Sequence, residues 1–241
     1  LNEGSYTATV SVSCSNAPNI PQVYFVTLII DMHAAVTALD KSIIIWVSTL
    51  GNNSTDTGSQ QTPYKTIERA LQDFVAGSQI RILSGTYTPT STIVIDNLEG
   101  SLFAEIPGGV IIQPQHTTQH NAVVAITNST RFRIQGIHIK QSTETQIASA
   151  VNNVGIYANN ITNLTIDTCT VSDFSCVNGC AGIWARGTGK IENCLVEDLA
   201  ADNGDFYGIY AEGLHTIGNT VRRLIYRGNN NAVGISSSRA L

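Results

Sequence analysis

Charge is scarce in this chain: Asp, Glu, Lys and Arg make up only 13% of 241 residues, against 42% hydrophobic. With Asn, Thr, Ser and Gly abundant, that mixture suits a turn-rich all-β protein and not a helical bundle. Positive charge is scarcer still, 13 Lys and Arg against 18 Asp and Glu for a net −5. Nucleic acid and anionic membranes are therefore disfavoured as partners. Long hydrophobic runs are also missing. The best candidates, "VTLII" and "SIIIWV", fall well short of the roughly 18 residues a membrane-crossing helix needs, so membrane insertion is not expected. An initiator Met and a leader are missing too: the chain opens at Leu1 on the approach to a strand and stops at Leu241 inside a repeat. The expectation is a piece of a longer chain, or a processed one, so the lack of a leader says nothing about destination.

What is present falls into three regions. Residues 1–31 hold two strand patterns, "SYTATVSVS" and "QVYFVTLII", with Tyr6, Ala8, Val10 and Val12 alternating with Thr and Ser in the first. Two strands make too little core to stand alone. A linker-like stretch at 32–42 leads to the strand "IIIWVS" and a polar loop. An amphipathic helix is then expected near 63–76, with Thr62 as N-cap, Pro63 at the first helical position and Gly77 as the stop. Its apolar stripe is Ile67, Ala70, Leu71, Phe74 and Val75. Short apolar runs separated by turn residues follow, and no helix-length stripe occurs between 120 and 241.

A repeat dominates the second half. Gly155, Gly182, Gly208 and Gly234 each precede an Ile, at steps of 27, 26 and 26 residues. Cys169, Cys194 and Asn219 recur at 25 and 25, as do Val171, Val196 and Val221. A fixed period of this size means a solenoid, here with one β coil per repeat. If Ile156, Ile183, Ile209 and Ile235 point inward, then Tyr157, Trp184, Tyr210 and Ser236 point outward. With strands about 4.8 Å apart, three aromatic rings stack along the outside. Either loops fold over them as a satellite core, or they form a platform for sugar rings or a partner protein.

Two resemblances sharpen the fold. The order strand, "GNNS", "PYKTIERAL", "IRILSGTYT" resembles the N-terminal cap and first rung of right-handed parallel β-helix proteins of the pectate-lyase-like superfamily, over residues 43–241. It implies a parallel β-helix whose capping helix lies over the open end of the core. The strands of 1–31 resemble the last strands of a bacterial Ig-like (BACON-type) module. Related lyases bind uronate through a carboxylate cluster on calcium, with an Arg as base. Asp173, Asp198, Asp202 and Asp205 are the residues such a cluster would use here. The competing reading is ladder pairing: Asp173, Asp198 and Arg223 share one rung position, and Ser172, Glu197 and Arg222 another. The "NTD" and "GHG" motifs of the superfamily's pectin hydrolases do not occur.

The remaining candidates are few. Cys176 and Cys180 in "SCVNGC" are close enough in sequence to bridge, while Cys169 and Cys194 read as stacked core residues. His116 and His120 read as solvated loop residues; His138 and His215 are isolated. Sequons stand at Asn52, Asn53, Asn128, Asn160 and Asn163. The expected function is a non-catalytic extracellular or cell-surface β-solenoid of an adhesive or filament-forming protein. It would bind carbohydrate through the aromatic ladder, with residues 5–31 available for end-to-end self-association. The alternative is a polysaccharide lyase or hydrolase acting on acidic polysaccharide, with calcium as the cofactor if one is used.

Overall fold

The computed structural model describes residues 4–11, 23–30, 43–114, 122–141 and 153–238. The chain forms two units, Leu1–Lys41 and Ser42–Leu241. In the first, β1 (Gly4–Ser11) and β2 (Val23–Ile30) pair antiparallel, Gly4 opposite Ile30 and Ser11 opposite Val23.

The second unit is a right-handed parallel β-helix with three sheets. It opens with β3 (Ile44–Val47) and α1 (Ile67–Gln72). A first turn follows in β4 (Ser78–Ile82), β5 (Gly85–Tyr87) and β6 (Ile93–Asp96). The second turn is β7 (Gly100–Ala104), β8 (Val110–Ile112) and β9 (Ala122–Thr127). The third is β10 (Phe132–Gln135), β11 (Ile137–Lys140) and the first part of β12 (Asn153–Asp167). From there the strands run around corners. The end of β12 and most of β13 (Thr170–Glu192) make the fourth turn, and the end of β13 and most of β14 (Leu195–Ile217) the fifth. The end of β14, β15 (Thr220–Tyr226) and β16 (Ala232–Ser238) make the sixth. Each strand pairs parallel with its equivalents above and below.

Period-two alternation fills the core with columns of like residues. On the third sheet, Ile93, Val124, Ile156, Ile183, Ile209 and Ile235 lie in register. The first five are fully buried, whereas Ile235 is 41% exposed, because β16 pairs only with β14 among the described residues. The recurring Gly has a packing cause. A Cβ on Gly182 would fall inside the contact radius of Val196 Cγ1 and 2.8 Å from Gly208 O. Gly155 and Gly208 meet Val171 and Val221 in the same way. The Val column of the second sheet therefore occupies the space a side chain would need at Gly155, Gly182 and Gly208, and "Gly-Ile" returns from the third entry into the third sheet onward.

Corners are made by left-handed residues in columns. Asp173, Asp198 and Arg223 have φ of 64°, 55° and 54°; Thr168, Asn193 and Gly218 have 50°, 54° and 63°. Asn and Asp tolerate this region best. A third corner stacks Asn160 on Asn128 (Nδ2 to Oδ1, 2.8 Å), and Asn128 donates to Asp96 Oδ1 at 2.8 Å. Cys169 and Cys194 are stacked and buried, their thiols donating to the carbonyls of Asp167 and Glu192. A hydrogen bond with Cys169, together with burial, raises the Cys194 thiol pKa. In the next turn Asn219 takes their place, its Nδ2 donating to Ile191 O at 2.8 Å.

The helix differs from the sequence expectation. It starts four residues later than expected, with Thr66 as N-cap, its hydroxyl accepting from Arg69 N at 3.2 Å, and it ends at Gln72. Tyr64 is instead drawn to the sheet: Tyr64 N donates to Trp46 O and Ser48 N to Tyr64 O, bridging Tyr64 to Val47, while the Pro63 carbonyl accepts from Asn52 N. Thr62 spends its hydroxyl on Thr57 and Ser59. Ile67, Ala70 and Phe74 are buried, but Val75 lies beyond the helix and is 49% exposed. α1 packs on β3, β4 and β6 at the start of the coil.

Candidate functional site

The outward column of the third sheet runs Val94, Ala125, Tyr157, Trp184, Tyr210, Ser236. Its three aromatic rings form a continuous stack. Tyr157 and Trp184 centroids are 4.9 Å apart with planes 9° from parallel, and Trp184 and Tyr210 are 5.3 Å apart at 10°. These separations are close to the spacing of neighbouring strands, about 4.8 Å, so each ring follows the next at the step of the coil. All three are half-buried. Among the described residues, no loop covers them completely. Tyr207 packs edge-on to Tyr210 at 5.2 Å, while Tyr226 from the adjoining corner stacks on the buried Phe206 at 5.6 Å.

A polar row lies beside the aromatic one. Two residues further along each strand, Asn159, Arg186, Glu212 and Ser238 are in register. Arg186 Nε donates to Glu212 Oε2 at 2.8 Å, and Tyr210 Oη donates to the same oxygen at 2.9 Å. The Arg186 hydrogen bond, then that of Tyr210, holds the Glu212 carboxyl below its usual range; the same contact raises the Tyr210 hydroxyl. The Arg186 guanidinium also lies 5.5 Å from the Trp184 ring centre. Rows of ring carbon and of fixed hydrogen-bonding groups thus run side by side across three turns. Arg186, Glu212 and Tyr207 escaped the sequence reading, although the period-two alternation that exposes Trp184 and Tyr210 also exposes Arg186 and Glu212.

The acidic candidates are dispersed among ion pairs. Arg223 grips Asp198 with both Nε and Nη2 at 2.6 Å, and Nη2 also reaches Glu197 at 2.6 Å. Arg222 pairs with Glu197 at 2.7 Å, Arg227 with Asp202 at 3.1 Å, and Lys140 with Asp173 at 3.0 Å. The Arg223 hydrogen bond holds the Asp198 carboxyl below the usual range. Asp205 is exposed. Among the described residues, no three His, Cys, Asp or Glu side chains converge as metal ligands. His138 Nε2 lies 2.8 Å from Ser172 Oγ, which donates to Asp173 Oδ2 at 2.7 Å. Burial, then Lys140, lowers the His138 pKa. His215 is exposed; His116 and His120 lie outside the described residues. Cys176 and Cys180 form a disulfide, with Cα atoms 5.9 Å apart.

With that geometry in hand, comparison with known proteins places the fold in a class. A family described as protein of unknown function (DUF1565) matches residues 49–94. No curated protein sequence matches the chain. Among solved structures, a rhamnogalacturonan lyase superposes with a TM-score of 0.52 at 14% identity, over 81% of this chain and 62% of that one. Pectate lyase Pel9A gives 0.48 at 16% identity, over 81% and 62%. Pectin methylesterase PemA from Erwinia chrysanthemi gives 0.45 at 15% identity, over 70% and 54%. The chain thus spans about three fifths of the lyases it is similar to. At these identities the rhamnogalacturonan lyase match shows a shared parallel β-helix, and the fold alone. No helix among the described residues is long and apolar enough to cross a membrane.

Proposed function

We propose that the coil is a non-catalytic extracellular module that binds a polysaccharide along the outer face of its third sheet. The observation that carries this reading is the stack Tyr157–Trp184–Tyr210 beside the Asn159, Arg186, Glu212 row. Sugars expose C–H patches and hydroxyls together, so an apolar row flanked by held donors and acceptors matches them on both counts. The disulfide Cys176–Cys180 fits an oxidising, extracellular setting. The ion pairs made by Arg222, Arg223 and Arg227 favour a structural role for those cations over that of a lyase base. In the same reading, β1 and β2 end an Ig-like module, and their open edges join protomers by strand addition.

Affinity electrophoresis through gels holding polygalacturonate, alginate, xylan, mannan or β-glucan tests the proposal. Wild-type protein is expected to be retarded in at least one gel. Trp184→Ala, folded by circular dichroism, is expected to bind about three- to tenfold more weakly, as the loss of one aromatic contact implies. Neither protein should release unsaturated uronides. Retention by none of the gels, or uronide release by the wild type, would remove this reading, and release would reinstate the lyase.

A further inference from the structure

The aromatic stack has a step as well as a surface, and the step narrows the ligand. Ring centres along Tyr157, Trp184 and Tyr210 are spaced 4.9 and 5.3 Å apart, one ring per turn of the coil. Each ring keeps part of its surface open. A linear ligand lying along the coil axis repeats its contacts at every turn only if its own repeat matches that step. An extended peptide advances about 3.3 Å per residue and falls out of step with the rings. A flat ribbon of equatorially linked pyranoses advances per sugar by a step like the strand spacing of about 4.8 Å, so each sugar meets one ring. Axial or (1→3) linkages shorten or coil the chain and lose that match.

The row beside the rings selects on charge. The Arg186 side chain is 51% exposed and that of Glu212 40%, so both reach a ligand. They reach it as a pair, because Arg186 Nε and Nη2 each lie 2.8 Å from Glu212 Oε2. Along the full row Asp96, Thr127, Asn159, Arg186, Glu212 and Ser238, two carboxylates stand against one guanidinium. A uronate chain would bring a further carboxylate per sugar to a row that is already net negative. Neutral hydroxyls accept from Arg186 and donate to Glu212 without that repulsion. Building on the polysaccharide reading of this face, we propose that it selects a neutral, equatorially β-(1→4)-linked chain laid along the coil axis with one sugar per turn. Glu212 sets the preference by keeping the Arg186 charge neutralised.

Isothermal titration calorimetry at low salt on the whole chain tests it. The probes are the β-(1→4)-linked hexamers of xylose, mannose and glucose, with maltohexaose and hexagalacturonate as comparisons. At least one β-(1→4) probe is expected to bind about tenfold or more tightly than either comparison. Its dimer should bind about tenfold more weakly than its tetramer, because only the longer chain spans all three rings. Glu212→Gln, which is near-isosteric, should move the ratio of hexagalacturonate to neutral binding about tenfold toward the acid, as an uncompensated Arg186 requires. The proposal is overturned if maltohexaose or hexagalacturonate binds as well as the β-(1→4) probes, or if none of those probes saturates. It is equally overturned if dimer and tetramer bind alike, or if Glu212→Gln leaves the ratio unchanged. Retention on a polygalacturonate gel with hexagalacturonate preferred would leave the polysaccharide reading standing and remove this one, whereas retention by no gel removes both.

Discussion

At the scale of single residues, the fold depends on what a position lacks as much as on what it holds. Gly182 stands where the Val column of the second sheet presses against the third, with no room for a methyl group. Gly182→Ala is therefore expected to destabilise the protein by about 1–3 kcal/mol through overpacking. Urea unfolding should show this as a lower midpoint with unchanged slope. Adding Val196→Ala should restore part of the loss, because it removes the atom that the new methyl meets. A neutral Gly182→Ala would mean that the column is not packed as described. The corners obey the same logic through the backbone. Asp198 and Arg223 hold left-handed conformations in one column, and that places their side chains in contact.

At the scale of elements, sequence pattern and tertiary context divide the outcome between them. The 25-to-27 residue period and the Ile and Val columns made the coil legible, because a solenoid repeats its packing at the same step as its sequence. The start of the helix was not legible. Thr62-Pro63 and Thr66 both carry capping chemistry, and the choice between them is made by Tyr64, whose backbone pairs with β3. Thr66→Ala should then cost about 1 kcal/mol as a lost cap, while Thr62→Ala should change the thermal midpoint little. A larger effect at Thr62 would contradict the observed boundary. The aromatic stack followed from alternation, whereas the bond from Arg186 to Glu212 beside it depends on side-chain rotamers, which no sequence pattern encodes. A cavity beside α1 was hidden for another reason: its walls come from separate stretches near 49, 65–68 and 86–93, and only folding brings them together.

On the scale of the whole molecule, six turns share one axis, and like residues stand over like. That repetition turns one outward Tyr or Trp per turn into a row, and one outward polar residue per turn into a second row beside it. It likewise converts isolated charges on the second sheet into the chain of pairs Glu197–Arg222, Glu197–Arg223 and Asp198–Arg223. The two sheets thus offer a bound glycan different surfaces, one aromatic with fixed polar groups and one of mutually satisfied ions. Hydrogen–deuterium exchange with and without the polysaccharide retained in the gels distinguishes them directly. Binding at the aromatic face predicts added protection at 157–159, 184–186 and 210–212. Protection centred on 170–173, 195–198 and 220–223 would place the ligand on the charged sheet and contradict the account.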